Sequence, residues 1–139
     1  MHPFAFVFPG QGSQSVGMLD AWGNHPAVRQ TLDEASAVLG EDIAALIHAG
    51  PKEALERTTN TQPVMLTGAI ACYRAWLAEG GPEPAAVAGH SLGEYSALVA
   101  AGALTLADAL PLVRFRAQAM QHAVPVGAGA MAAILGLDA

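Results

Sequence analysis

Ala85-Ala86-Val87-Ala88-Gly89-His90-Ser91-Leu92-Gly93 is the stretch whose reading decides the fold. Four apolar residues, short and strand-like, run directly into Gly89-x-Ser91-x-Gly93, and Glu94 to Ala101 then reads as a helix ended by Gly102. A sharp strand-to-helix turn lifts a serine hydroxyl clear of the backbone. The flanking glycines are required because side chains there would clash inside the turn. A helix opening at the serine aims free N–H groups and a partial positive charge at a reacting carbonyl. The N–H of Leu92 is then a natural oxyanion donor.

Working outward, the same alternation recurs. Phe4 to Phe8 is an apolar run rich in β-formers, broken at once by Pro9-Gly10-Gln11-Gly12-Ser13-Gln14. Pro26 to Leu39 reads as a helix with Pro at its start and Gly40 after its end. Asp42 to His48 and Lys52 to Arg57 read as short helices, and Thr61 to Glu79 as a longer one stopped by Gly80-Gly81. Thr105 can cap a helix from Leu106 to about Ala123, which Pro111 should bend or delay. Gly129 to Leu137 reads as a last strand. Strands alternating with helices mean an α/β layer structure with a mostly parallel sheet.

Composition narrows the function. The 139 residues make one ordinary domain, and 6 basic against 12 acidic residues give −6 with His neutral. That balance argues against nucleic acid, whose phosphates need a basic stripe. The lone Cys72 excludes an intramolecular disulfide and a Cys-based zinc site, and no metal site is expected. No apolar run approaches a membrane span, and Phe4 to Phe8 lacks the length and basic flank of a signal peptide, so a cytoplasmic protein is expected. Hydrophobic residues make up 53% and charged residues only 13%, about half the ~25% of an average soluble domain. Either the 30 Ala residues inflate the apolar tally or the chain is part of a larger folded unit.

Serine cannot attack alone at neutral pH and needs a base within hydrogen-bond reach. The five histidines are His2, His25, His48, His90 and His122, and none sits at the end of a second strand. His90 adjoins the serine but should leave the turn in another direction. The sequence thus presents a nucleophile without an evident base. On the helix after Thr105, Leu106, Leu110, Val113, Ala117 and Met120 form one stripe, with Arg114 and Arg116 on opposite flanks. Arg114 shares its side with Gln118 and Gln121 and should be solvated. Arg116 shares its side with Ala109, Leu112 and Ala123 and should be half-buried. A half-buried Arg needs a carboxylate, either a protein Asp or Glu or that of a substrate.

Phe8-Pro9-Gly10-Gln11-Gly12-Ser13-Gln14, Thr61-Gln62-Pro63, Gly89-His90-Ser91-Leu92-Gly93-Glu94-Tyr95-Ser96 and Arg116 with Met120-Gln121 follow one another in an order that resembles the malonyl-CoA:acyl-carrier-protein transacylases of fatty-acid synthesis. The acyltransferase domains of polyketide synthases share most of these motifs. The resemblance runs along the whole chain. It implies that Ser91 takes a malonyl group from coenzyme A as an ester and passes it to the phosphopantetheine thiol of acyl carrier protein, in a ping-pong reaction without a further cofactor. It implies an oxyanion hole from the N–H groups of Gln11 and Leu92. It implies that Arg116 pairs with the free malonyl carboxylate, with His90 and Gln62 beside the substrate.

The same resemblance implies an α/β-hydrolase-like sheet with flanking helices. Residues 1–126 would be the N-terminal part of the large subdomain, and residues 127–139 the start of a small ferredoxin-like one. Family members are longer, and their catalytic His lies beyond the last residue here. The expectation is therefore a fragment with nucleophile, carboxylate clamp and half or more of the oxyanion hole, but no base. Two other readings stand beside it: a serine esterase or thioesterase sharing Gly-x-Ser-x-Gly, and a catalytically inactive fragment.

Overall fold

A computed structural model describes residues 2–130 and 134–136. Two strands, β1 (Ala5–Phe8) and β2 (Ala86–Gly89), pair in parallel with Ala5 opposite Ala86 and Phe8 opposite Gly89. Between them run a 3-10 turn at Asp20–Trp22 and four helices: α1 (Pro26–Leu39), α2 (Ile43–Ala49), α3 (Lys52–Glu56) and α4 (Thr58–Ala78). After β2 come α5 (Gly93–Ala100) and α6 (Leu106–Ala123). The α/β alternation expected from the sequence is present.

Local chemistry sets the ends. Pro26 opens α1, His25 Nδ1 accepts from the Ala27 N–H at 3.2 Å, and Gly40 closes the helix in the left-handed region at φ 65°. Asp42 caps α2 and Thr105 caps α6. Pro63 and Pro111 lie within the first two turns of α4 and α6, and neither delays its helix. Each is the sixth residue of its helix, past the four N–H groups that lack intrahelical partners, so each forfeits one hydrogen bond, to the carbonyl of Thr59 or Ala107, and the helix continues through it.

α4 is the central element. Every residue from Thr61 to Gly68 is buried, because α1, α5 and α6 surround it. Leu66, Ile70, Leu110 and Val113 are among the fully enclosed side chains of the core. Each such aliphatic side chain contributes roughly 1.5–3 kcal/mol. On the far half of α4, Tyr73 and Trp76 meet Phe6 edge-on, so aromatic rings seat the helix against one face of β1.

The other face of the sheet is open. Ala5, Val7, Ala86 and Ala88 alternate onto it, and Val7 is 73% exposed. Parallel sheets ordinarily have both faces covered. Phe115 and Leu112 on α6 are also exposed, at 68% and 42%. The apolar composition thus corresponds to real exposed apolar surface, and not to Ala in the core alone.

The strand expected over Gly129 to Leu137 is not found in the part that can be described. Residues 129, 130 and 134–136 carry no strand, and 131–133 and 137 lie outside the described residues. An extended segment with no neighbouring strand has no ladder for its N–H and C=O groups.

Candidate active site

The turn after β2 has the geometry expected of a nucleophile elbow. Ser91 is the one non-glycine residue at positive φ among the described residues, at 53°. Such a conformation costs roughly 1–3 kcal/mol for a residue with a Cβ and is held by its surroundings. The chain folds back through hydrogen bonds from the Gly93 N–H to the His90 carbonyl at 2.8 Å and from the Glu94 N–H to the Ser91 carbonyl at 3.1 Å. The two flanking glycines are sterically required. A Cβ on Gly89 would overlap the Gly93 carbonyl, and one on Gly93 would overlap the carbonyl of Phe8. The turn is therefore packed onto the end of β1 as well as β2.

A third glycine, Gly10, escaped the sequence reading. A Cβ there would stand 2.9 Å from the His90 carbonyl oxygen and 3.7 Å from the Ser91 Cβ. A residue without a side chain lets the loop after β1 press against the serine turn, and so carries Gln11 to the site. The Gln11 side chain is tied away to Thr58 Oγ1 at 3.1 Å. Leu92 is buried, and its N–H opens the turn into α5. Among the described residues neither the Gln11 nor the Leu92 N–H donates a hydrogen bond within the chain.

Ser91 is exposed, and its hydroxyl accepts from Arg116 Nη2 at 3.0 Å. Arg116, half-buried as expected, reaches across from α6. Its Nη1 donates to Gln62 Oε1 at 2.7 Å, and its Cζ lies 5.6 Å from the centroid of the Tyr95 ring. Gln62 is fully buried and donates through Nε2 to the Met120 sulfur at 3.3 Å. It lies beneath the guanidinium inside α4, and not at the helix start where the sequence put it.

No Asp or Glu pairs with Arg116 among the described residues. The contrast with its neighbours is informative. Arg74 meets Glu34 at 2.6 Å, and Arg114 meets Glu41 at 2.7 Å and Asn60 at 3.1 Å. Arg114 corrects the expectation of a solvated side chain. Its flank of α6 packs on the start of α4 and the α1–α2 link, leaving the side chain 17% exposed.

None of the five histidines reaches the serine hydroxyl. His25 pairs with Glu79 at 2.9 Å and His48 with Asp20 at 2.7 Å. His90 turns toward the Gly10 loop, its Nδ1 lying 3.3 Å from where a Gly10 Cβ would stand. Burial pushes the Cys72 thiol pKa up, away from the thiolate form, with a smaller opposing effect from Trp22. No cluster of three potential metal ligands exists among the described residues, and no helix among them is long and apolar enough to cross a membrane.

Comparison with known proteins bears on what this arrangement does. The family model described as "Acyl transferase domain" matches residues 5–137. The malonyl CoA-acyl carrier protein transacylase of Escherichia coli K12 is 59% identical over 139 residues, 99% of this chain and 45% of that protein. The chain therefore spans under half the length of that relative. The crystal structure of an acyl-carrier-protein S-malonyltransferase from Burkholderia pseudomallei 1710b superposes with a TM-score of 0.87 at 70% identity, covering 89% of this chain and 40% of the other. A malonyl-transacylase in a holo complex with its type II PKS acyl-carrier protein superposes at 0.85 with 52% identity, covering 89% and 40%.

Proposed function

Because the chain belongs to the acyl transferase domain family, we propose that it carries the acyl-accepting half of a malonyl-CoA:acyl-carrier-protein transacylase site. The observation that supports this most is the Arg116 guanidinium, 3.0 Å from the Ser91 hydroxyl and without a protein carboxylate among the described residues. A half-buried cation beside a nucleophile calls for an anion, and the free carboxylate of a malonyl group is one that the reacting molecule itself brings. An esterase of neutral acyl chains has no use for that cation.

In this reading Ser91 Oγ attacks the thioester carbonyl carbon while a base takes its proton. The carbonyl oxygen collects negative charge facing the Gln11 and Leu92 N–H groups. The C–S bond breaks, the coenzyme A thiolate leaves and is protonated, and malonyl-Ser91 remains. The phosphopantetheine thiol of acyl carrier protein then attacks the ester and restores the hydroxyl. His90 borders the substrate, and Gln62 acts on it through Arg116. The base comes from residues other than the five histidines here. Residues 2–126 form part of the large subdomain, and the ferredoxin-like subdomain expected from residue 127 onward falls in part outside the described residues. The reaction is cytoplasmic and uses no cofactor beyond the thioester substrate.

The test is covalent loading in imidazole buffer, where the solvent supplies a base. Malonyl-CoA should leave an ester on the chain and acetyl-CoA much less. Equal loading by both would point to a hydrolase of neutral esters instead.

A further inference from the structure

A guanidinium carries all of its N–H groups in its own plane and none on its faces. The hydrogen bonds from Arg116 to Gln62 Oε1 and Ser91 Oγ therefore fix how the group is rotated within that plane. They do not fix the tilt of the plane, which depends on what lies against a face. The Arg116 Cζ stands over the Tyr95 ring, 5.6 Å from its centroid and within the range of a cation–π contact, so this ring is the neighbour that can act on the tilt. Tyr95 sits one turn along from Ser91, at the start of α5, and its half-buried ring packs against the main core. Nucleophile and platform thus move as one piece, while the guanidinium arrives from α6 on a long side chain with much rotamer freedom to lose.

We propose that Tyr95 is a positioning residue for acyl-group selection, its ring face holding Arg116 at the tilt from which it meets a substrate carboxylate. The inference rests on the reading of Arg116 given above. A carboxylate is planar and accepts best when coplanar with its two donors, so a guanidinium free to tilt loses the paired contact while keeping its charge. Neutral acyl groups make no such contact and do not depend on the ring.

The test is calorimetric binding of malonyl-CoA and acetyl-CoA to the chain, which needs no base, with Arg116→Ala alongside. The native chain should favour malonyl-CoA, and Arg116→Ala should abolish the preference. Tyr95→Phe should keep the preference, and Tyr95→Leu should lower it about threefold to thirtyfold, leaving acetyl-CoA binding unchanged. A pentafluorinated phenylalanine at position 95 keeps the ring's shape but reverses its facial charge. It should lower the preference as Tyr95→Leu does, and it carries the test if that variant is poorly folded. An unchanged preference with the fluorinated ring, or equal losses for both thioesters, would overturn the role of Tyr95 alone. Equal binding of both thioesters by the native chain would instead overturn the carboxylate clamp, and the proposal with it.

Discussion

Arg116 on α6 donates to the hydroxyl of Ser91, 25 residues earlier, across 3.0 Å. The contact joins the group that would recognise a carboxylate to the group that would attack a carbonyl. Replacement should separate recognition from folding. Arg116→Lys keeps the charge but reaches fewer partners, because an ammonium is a point charge and cannot span Gln62 and a carboxylate as a fork does. Loading from malonyl-CoA should fall by about 10- to 100-fold, the worth of one charged hydrogen bond of ~1.5–3 kcal/mol. Thermal melting should move little. A lysine variant that loads as fast as the native chain would count against the clamp.

Ser91 at φ 53° gives a prediction that is independent of substrate. Ser91→Ala removes the hydroxyl and keeps the strain. Ser91→Gly removes both, since glycine adopts positive φ freely, though it returns some freedom to the unfolded chain. The glycine variant should be the more stable of the two by about 1 kcal/mol in urea unfolding. Equal stabilities would show that the turn is not strained.

Gly10 and Gly93 should respond differently to an added methyl group. On Gly93 the methyl overlaps the backbone of β1, so Gly93→Ala should cost ~2–4 kcal/mol and lower expression of folded protein. On Gly10 the nearest atom is the His90 carbonyl oxygen, 2.9 Å away and itself held by the Gly93 N–H, so backbone must shift there too, but by less than at Gly93. Gly10→Ala should therefore cost less stability than Gly93→Ala while displacing the Gln11 N–H and slowing acylation of Ser91. A loss of stability in Gly10→Ala as large as in Gly93→Ala would contradict this ordering.

The His48–Asp20 pair predicts a pH trend. The hydrogen bond that His48 Nδ1 donates to the Asp20 carboxylate, and then the charge of that carboxylate, raise the His48 pKa above its ordinary 6.5. A raised folded-state pKa contributes stability that is fully present below the unfolded pKa and lost as pH rises through the folded one. The native chain should therefore exceed His48→Gln in melting temperature more at pH 5.5 than at pH 8.5. The difference should be small, because the ring is exposed to solvent. A larger difference at pH 8.5 would contradict the assignment.

Much of this was legible in the sequence where local chemistry decides the outcome. Pro26 and Gly40 bound α1 where the sequence placed them, and the two glycines around Ser91 announce the tight turn. Other features depend on what the fold brings from elsewhere. Arg114 was expected in solvent because its flank of α6 is polar, yet that flank meets Asn60 and Glu41, which are distant in sequence. The burial of Gln62 follows from α4 being surrounded, which its own residues do not advertise. Tyr95 read as one member of a motif, and only the crossing of α6 over α5 sets it against Arg116. Gly10 carried a signal in the Gly10-Gln11-Gly12 loop, but its reason is the approach of His90 across the sheet.

The most direct test of Ser91 as the acyl acceptor is peptide-mapped mass spectrometry after incubation with malonyl-CoA in imidazole buffer, with Ser91→Ala in parallel. The expected result is a single malonyl ester on the peptide that contains Ser91, absent from the alanine variant. A malonyl group on another residue, its persistence in Ser91→Ala, or no ester on a folded native chain supplied with imidazole would contradict the assignment.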